Sequence, residues 1–194
     1  HGGYPSRGGI ELGVPVVRTP KEPIVHEKST PLVLPETSQG SLADVPRRWA
    51  SAEPGRVTFS VRSGAGWTDV TSATFAADVA ALAKGLIAAG IGIGDAVAIM
   101  SRTRYEWTVA DFALWSAGAV PVPIYETSSA DQVEWILADS GAVGVIVETD
   151  AHLASVDKGR ARLTGLQHVW VIDQGDVDSL SRDGDDVDDA ELDA

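Results

Sequence analysis

The sequence has no cysteine, which excludes disulfides, thiolate nucleophiles and cysteine-ligated metal sites together. The redox state of its compartment is therefore unconstrained. Basic residues are scarce: 15 Lys and Arg stand against 28 Asp and Glu, for a formal net charge of -13. A chain of that sign repels phosphate backbones and anionic headgroups, so nucleic acid is not an expected partner. Long apolar runs are missing as well. Ala96 to Met100 and Val143 to Val147 are among the longest, far below the roughly 20 residues a membrane-spanning helix needs. No Gly-Lys-Ser or Gly-Lys-Thr occurs, so there is no Walker phosphate loop. The chain starts at His1 and its single methionine is the interior Met100; the expectation is a piece of a longer polypeptide or a processed product.

What is present is the composition of a globular protein. The chain is 44% hydrophobic and 22% charged with six tryptophans, enough apolar surface to build a core. Its 194 residues suit one domain or two small subdomains. Five glycines between Gly2 and Gly13 precede Pro15, Pro20 and Pro23, without the apolar centre of a signal peptide. Residues 1–40 read as a disordered or extended leader. From Ser41 to Ala52, Leu42, Val45, Trp49 and Ala50 fall at helical spacing, with Asp44 and Pro46 suited to a first turn. Val57, Phe59 and Val61 alternate with polar residues, and Gly64-Ala65-Gly66 turns into Trp67, which predicts a β-hairpin. Phe75, Val79, Leu82, Leu86 and Ile87 then share a helix face, with Thr71 or Ser72 as cap and Gly90 as stop.

Beyond Gly90, short apolar runs alternate with amphipathic segments. The runs are Ala96 to Met100, Val120 to Ile124, Val143 to Val147 and Val169 to Ile172, separated by helix-length segments at Tyr105 to Ala117, Asp131 to Asp139 and Ala151 to Leu163. Runs of this kind predict strands covered on both faces, joined by helical right-handed crossovers. The expected fold class is α/β: a layered parallel sheet with helices on both faces, plus a small N-terminal β-hairpin. Ser129 and Gln132 form a capping box at the start of the Asp131 helix. Residues 176–194 carry nine acids against one arginine, and without them 19 acids face 14 basic residues. Such a block reads as solvated linker or tail, so the expected organisation is a leader over 1–40, an α/β subdomain over 41–173 and an acidic linker over 174–194.

Few residues announce chemistry. Gly90, Gly92 and Gly94 follow a helix and precede a strand, the reverse of the order a dinucleotide-binding turn requires. The four histidines are scattered, and the acidic block lacks the glycine and glutamate positions of a calcium loop. Tyr105, Trp107, Phe112 and Trp115 line one helix, where packing on the sheet outweighs ligand stacking. In open α/β sheets ligands gather beyond the carboxyl ends of the strands, here Ser101 to Arg104, Tyr125 to Ser128 and Glu148 to Asp150. Arg102, Arg104, Tyr125, Thr127 and Ser128 are the candidate pocket-border residues. A plainer reading stands ahead of ligand binding: Arg104 pairs with Glu106 or Asp111 and the hydroxyls only cap a helix.

Three stretches, Gly66-Trp67-Thr68-Asp69-Val70-Thr71, Gly94 through Trp107 and Ala113 through Ser129, occur in an order that resembles the N-terminal part of adenylate-forming acyl-CoA synthetases. The Arg-x-Glu-Trp element at Arg104 to Trp107 and the Pro-x-Tyr-x-Thr element at Pro123 to Thr127 resemble the long-chain fatty acid CoA ligases. The likeness runs from about Ser41 to Asp173. It implies a parent that activates a carboxylate with ATP and Mg2+ and passes the acyl group to CoA. The rest of that polypeptide and a long-chain fatty acid are the implied partners, and the implied location is cytoplasmic with peripheral membrane contact. The family's T-S-G-T-T-G-x-P-K-G loop and later lysine are not in these 194 residues, so no catalytic residue carries over. The chain alone is expected to bind no cofactor and to be inactive. Two alternatives stay open: a fragment of an amino-acid- or aryl-adenylating ligase, and a non-enzymatic α/β binding module.

Overall fold

The chain enters through one 3-10 turn, Leu42–Asp44, where Ser41 and Asp44 cap one another, and continues into α1 (Val45–Ala52) with Pro46 in its first turn. The structure is a computed structural model that describes residues 40–192, so the expected leader lies, but for Gly40, outside the described residues. The hairpin forms as expected. β1 (Val57–Ser63) and β2 (Gly66–Thr71) pair antiparallel around Gly64-Ala65. Gly64 has φ +59°, a conformation that costs glycine little. Thr71 Oγ1 accepts from Thr74 N at 3.2 Å to start α2 (Ser72–Ala88). At its far end Gly90 takes φ +90° and Ile91 N reaches back to Leu86 O, closing the helix with a left-handed glycine.

The four apolar runs become β3 (Ala96–Met100), β4 (Val120–Ile124), β5 (Gly144–Val147) and β6 (His168–Val171), all parallel, in the order β4-β3-β5-β6. They are linked by α3 (Tyr105–Ser116), α4 (Ala130–Asp139) and α5 (Asp150–Asp157). Side chains alternate between the two faces of the sheet. Val97, Ile99 and Ile146 enter one core with Phe75, Leu82, Leu86 and Leu114, whereas Ala98, Met100, Val145 and Val147 enter a second with Val133, Leu137 and Val156. Helices thus cover both faces, α2 and α3 on one and α4 and α5 on the other.

Three expectations are corrected. The helix foreseen over Ala151 to Leu163 ends at Asp157; Gly159 packs against Glu134 with no room for a side chain, and only one 3-10 turn, Arg160–Arg162, follows. β4 is not covered on both faces. It is an edge strand with Val120 half exposed and Pro123 exposed. Val120 N donates to Asp95 O at 2.8 Å, so Val120, Val122 and Ile124 face β3 and the alternate Pro121 and Pro123 face the open edge.

The third correction concerns the acidic block. The stretch expected as linker contains α6 (Asp176–Asp183), whose Val177 and Leu180 are buried against α2. Asp176 and Asp178 fall in its first turn, where the helix dipole favours negative charge, and Lys84 pairs with Asp189 at 2.5 Å. The contact is close: a Cβ on Gly85 would lie 2.0 Å from Leu180 O, and one on Gly184 would lie 2.3 Å from Gly85 N. Two well-placed apolar side chains and two glycines seat a segment whose average composition argues for solvent.

Candidate functional site

β3 leads through α3 to β4 on one side, and the chain then crosses to β5 on the other. Loops leaving the carboxyl ends of β3 and β5 therefore diverge, which opens the crevice where α/β sheets bind ligands. Glu148, the first residue after β5, sits in that crevice only 1% exposed. Its Oε1 accepts from Arg102 Nε at 2.8 Å, Arg102 Nη2 at 2.6 Å and Arg104 Nη1 at 3.4 Å. Its Oε2 accepts from Arg102 N at 2.9 Å and lies 3.3 Å from Ser101 Oγ. Hydrogen bonds from the Arg102 guanidinium, partly opposed by burial, hold this carboxyl well below the usual range, at about 2. An acid that strong stays ionised and is a poor general base; it works as a fixed anion.

Arg104 is turned the other way. Its Nε and Nη2 donate to Glu106 at 2.7 and 2.9 Å, and its Nη1 donates to Asp173 at 2.8 Å, beyond β6. The guanidinium hydrogen bonds to Glu106 and Asp173 raise its already high pKa. The expected pairing with Glu106 is present, while Asp111 is not a partner among the observed contacts; burial raises the Asp111 carboxyl instead.

Beside this network, at the ends of β3 and β4, lies a cavity of about 440 Å3, within the size range of small-molecule sites. Arg102 and Thr103 border it from β3, Tyr125, Glu126 and Thr127 from β4, and Trp107 from α3. Of the five candidate residues the fold brings Arg102, Tyr125 and Thr127 around this space. Arg104 is committed to its carboxylates, and Ser128 lies outside the lining. Ser129, next in the chain, makes the expected capping box with Gln132. The aromatic stripe divides likewise. Phe112 packs on Phe75 and Trp115, Tyr105 packs on Phe59 and donates to Asp78 at 2.6 Å, and only Trp107 reaches the cavity.

Three residues that organise the crevice were not among the candidate residues: Glu148 and Glu126, which lie within the strand-end loops expected from the sequence, and Asp173, which lies outside them. Glu148 carried a readable signal, since an acid directly after a wholly buried strand demands a cationic partner. As a chemical device the cavity presents one anchored guanidinium, hydroxyls and an aromatic wall. It presents no activated nucleophile: the Ser101 hydroxyl faces Glu148 and the Arg102 carbonyl. Among the described residues no group of three His, Asp or Glu side chains is placed to hold a metal ion. One guanidinium beside the Glu126 carboxylate does not fit a metal-bound polyphosphate, and no nucleotide step is assigned to these residues.

Comparison with known proteins agrees with this architecture. The chain is 48% identical over 129 residues to the long-chain-fatty-acid CoA ligase FadD15 of Mycobacterium bovis, covering 65% of this chain and 22% of that protein. A feruloyl-CoA synthase of Amycolatopsis sp is 38% identical over 91 residues, covering 47% of this chain and 18% of the relative. Among solved structures, a putative long-chain-fatty-acid CoA ligase from Rhodopseudomonas palustris superposes with a TM-score of 0.62 at 30% identity, over 68% of this chain and 32% of that one. The chain spans about a fifth of the length of these curated relatives. The AMP-binding enzyme family model matches residues 46–193, running past Asp173 through α6. With the sheet order, the switch-point crevice and this match in agreement, the chain belongs to the AMP-binding enzyme family.

Proposed function

We propose that this chain is the N-terminal α/β portion of an ATP-dependent ligase that joins long-chain fatty acids to CoA, and that it is inactive by itself. One observation carries the reading: nearly half of the residues are identical to a long-chain ligase over 129 positions, within 22% of that ligase's length. In such an enzyme the acid first displaces pyrophosphate from ATP to give an acyl-adenylate, and the CoA thiol then displaces AMP. ATP, Mg2+ and CoA belong to the parent and act on residues beyond this chain. What this chain supplies is a rigid floor. Glu148 ties the loop after β3 to the end of β5, Arg104 ties both to Asp173 beyond β6, and the crevice keeps one shape.

No helix among the described residues is long and apolar enough to cross a membrane. Within this reading the expected location is cytoplasmic, and peripheral membrane contact is supported by the tendency of a long acyl chain to partition into bilayers. Pyrophosphate release tests the inactivity of the chain by itself. Purified chain with a long-chain fatty acid, ATP and Mg2+ is expected to release none above a protein-free blank, and release above it overturns inactivity. An aryl substrate is the second reading, favoured by the feruloyl-CoA synthase likeness. Assay of the full-length parent enzyme with a long-chain fatty acid and with ferulate separates the two, since the long-chain reading expects the fatty acid to be turned over in preference to ferulate.

A further inference from the structure

We propose that a second cavity, separate from the crevice, is a binding site for the alkyl chain of a small molecule. It measures about 310 Å3, at the lower end of the range for small-molecule sites. It shares no lining residue with the cavity at the ends of β3 and β4. Ala43 and Pro46 wall it from the N-terminal turn and α1, Ala76, Val79 and Ala80 from α2, and Leu192 from the 3-10 turn Asp189–Leu192. Three of these six side chains are alanines, which end one carbon from the backbone and so leave the space between the elements open.

The lining decides what fits. Its polar residues are engaged with other groups of the chain. Ser116 Oγ donates to Phe112 O at 2.9 Å. Lys84 pairs with Asp189 at 2.5 Å and, with a smaller contribution from Arg47, lowers the Asp189 carboxyl. A space with apolar walls and no hydrogen-bond partner waiting holds water poorly and accepts apolar guests. Among the described residues no aromatic side chain lines it, so an aryl guest finds no ring to stack on. An alkyl chain, by contrast, gains dispersion contact with every wall. Arg47 and Asp189, the charged members of the lining, carry opposite signs, which favours a neutral head group over an anionic one. Residues from the two ends of the described chain meet in this wall, so an occupant fastens the C-terminal turn to α1 and α2. The site stands apart from the ligase reading and does not depend on it.

The probe is 1-octanol, titrated into the 194-residue chain carrying isotope-labelled alanine methyl groups. Saturable binding is expected, with nuclear Overhauser effects from the octyl chain to the Ala43, Ala76 and Ala80 methyls and several-fold slower amide exchange over residues 189–192. Benzyl alcohol is expected to bind several-fold more weakly. Ala80→Leu fills the void with a larger side chain and is expected to abolish octanol binding while the fold persists. Ala76→Val makes the same test at a second wall position, should Ala80→Leu fail to fold. Binding that does not saturate, or effects on Trp107 in the crevice with the three alanine methyls silent, overturns the site. So does unchanged octanol affinity in a folded variant with the void filled. Benzyl alcohol binding as tightly as 1-octanol overturns the alkyl assignment.

Discussion

Glu148 accepts from two arginines and a backbone N–H while almost wholly buried, and its carboxyl is held at about 2 against an ordinary 4.5. A carboxyl lowered by folding stabilises the native state fully above its unfolded value and loses that contribution as pH falls through the folded one. The window here is pH 4.5 down to about 2, and the contribution is on the order of 3 kcal/mol. Glu148→Gln is expected to flatten urea-unfolding stability across that window and to lower it at neutral pH, where Arg102 and Arg104 lose their anion. Equal pH slopes in the two proteins would remove Glu148 from this role. Ser129→Ala, by contrast, removes one N-cap and is expected to cost ~1 kcal/mol, read as a drop in Tm without a change in pH dependence. The two sites differ in how legible they are. Ser129 and Gln132 are three residues apart and announce their reciprocal hydrogen bonds in any sequence reading. Arg102 and Glu148 are 46 residues apart, and only the placement of β5 beside β3, which composition does not encode, makes them partners.

At the scale of elements, α6 rests on contacts that leave no space. Gly85→Ala would put a Cβ 2.0 Å from Leu180 O, a clash with backbone that cannot rotate away. Overpacking of this kind typically costs ~1–3 kcal/mol. The expected result is a displaced α6, seen as faster amide exchange over residues 176–183 with α3 and the sheet unaffected; uniform protection there would refute the contact. The ends of β3 and β4 were readable because apolar runs stop abruptly at Asp95, Ser101, Gly118 and Tyr125. α6 was missed because charge averaged over the whole block hid Val177 and Leu180, which lie three residues apart and share one helix face. The acids flanking them sit at the helix start, where their charge helps rather than repels.

Across the whole molecule, one sheet divides two cores, and residues from the C-terminal acidic region complete the one that contains α2. Ending the chain at Gly175 is therefore expected to uncover the α2 face around Gly85, on which Leu180 is packed. The check is binding of a hydrophobic dye together with a lower Tm; an unchanged Tm would return the acidic region to the status of linker. The two edges of the sheet are guarded by different means. On the β4 side the donors are missing for good, since proline has none to offer. On the β6 side Val171 keeps its N–H and gives it to Asp176 Oδ2 at 2.8 Å, the first residue of α6. One edge lacks donors, and the other has a donor already taken. A carboxylate counted at first as surplus charge acts as a stopper, and α6 holds it in place.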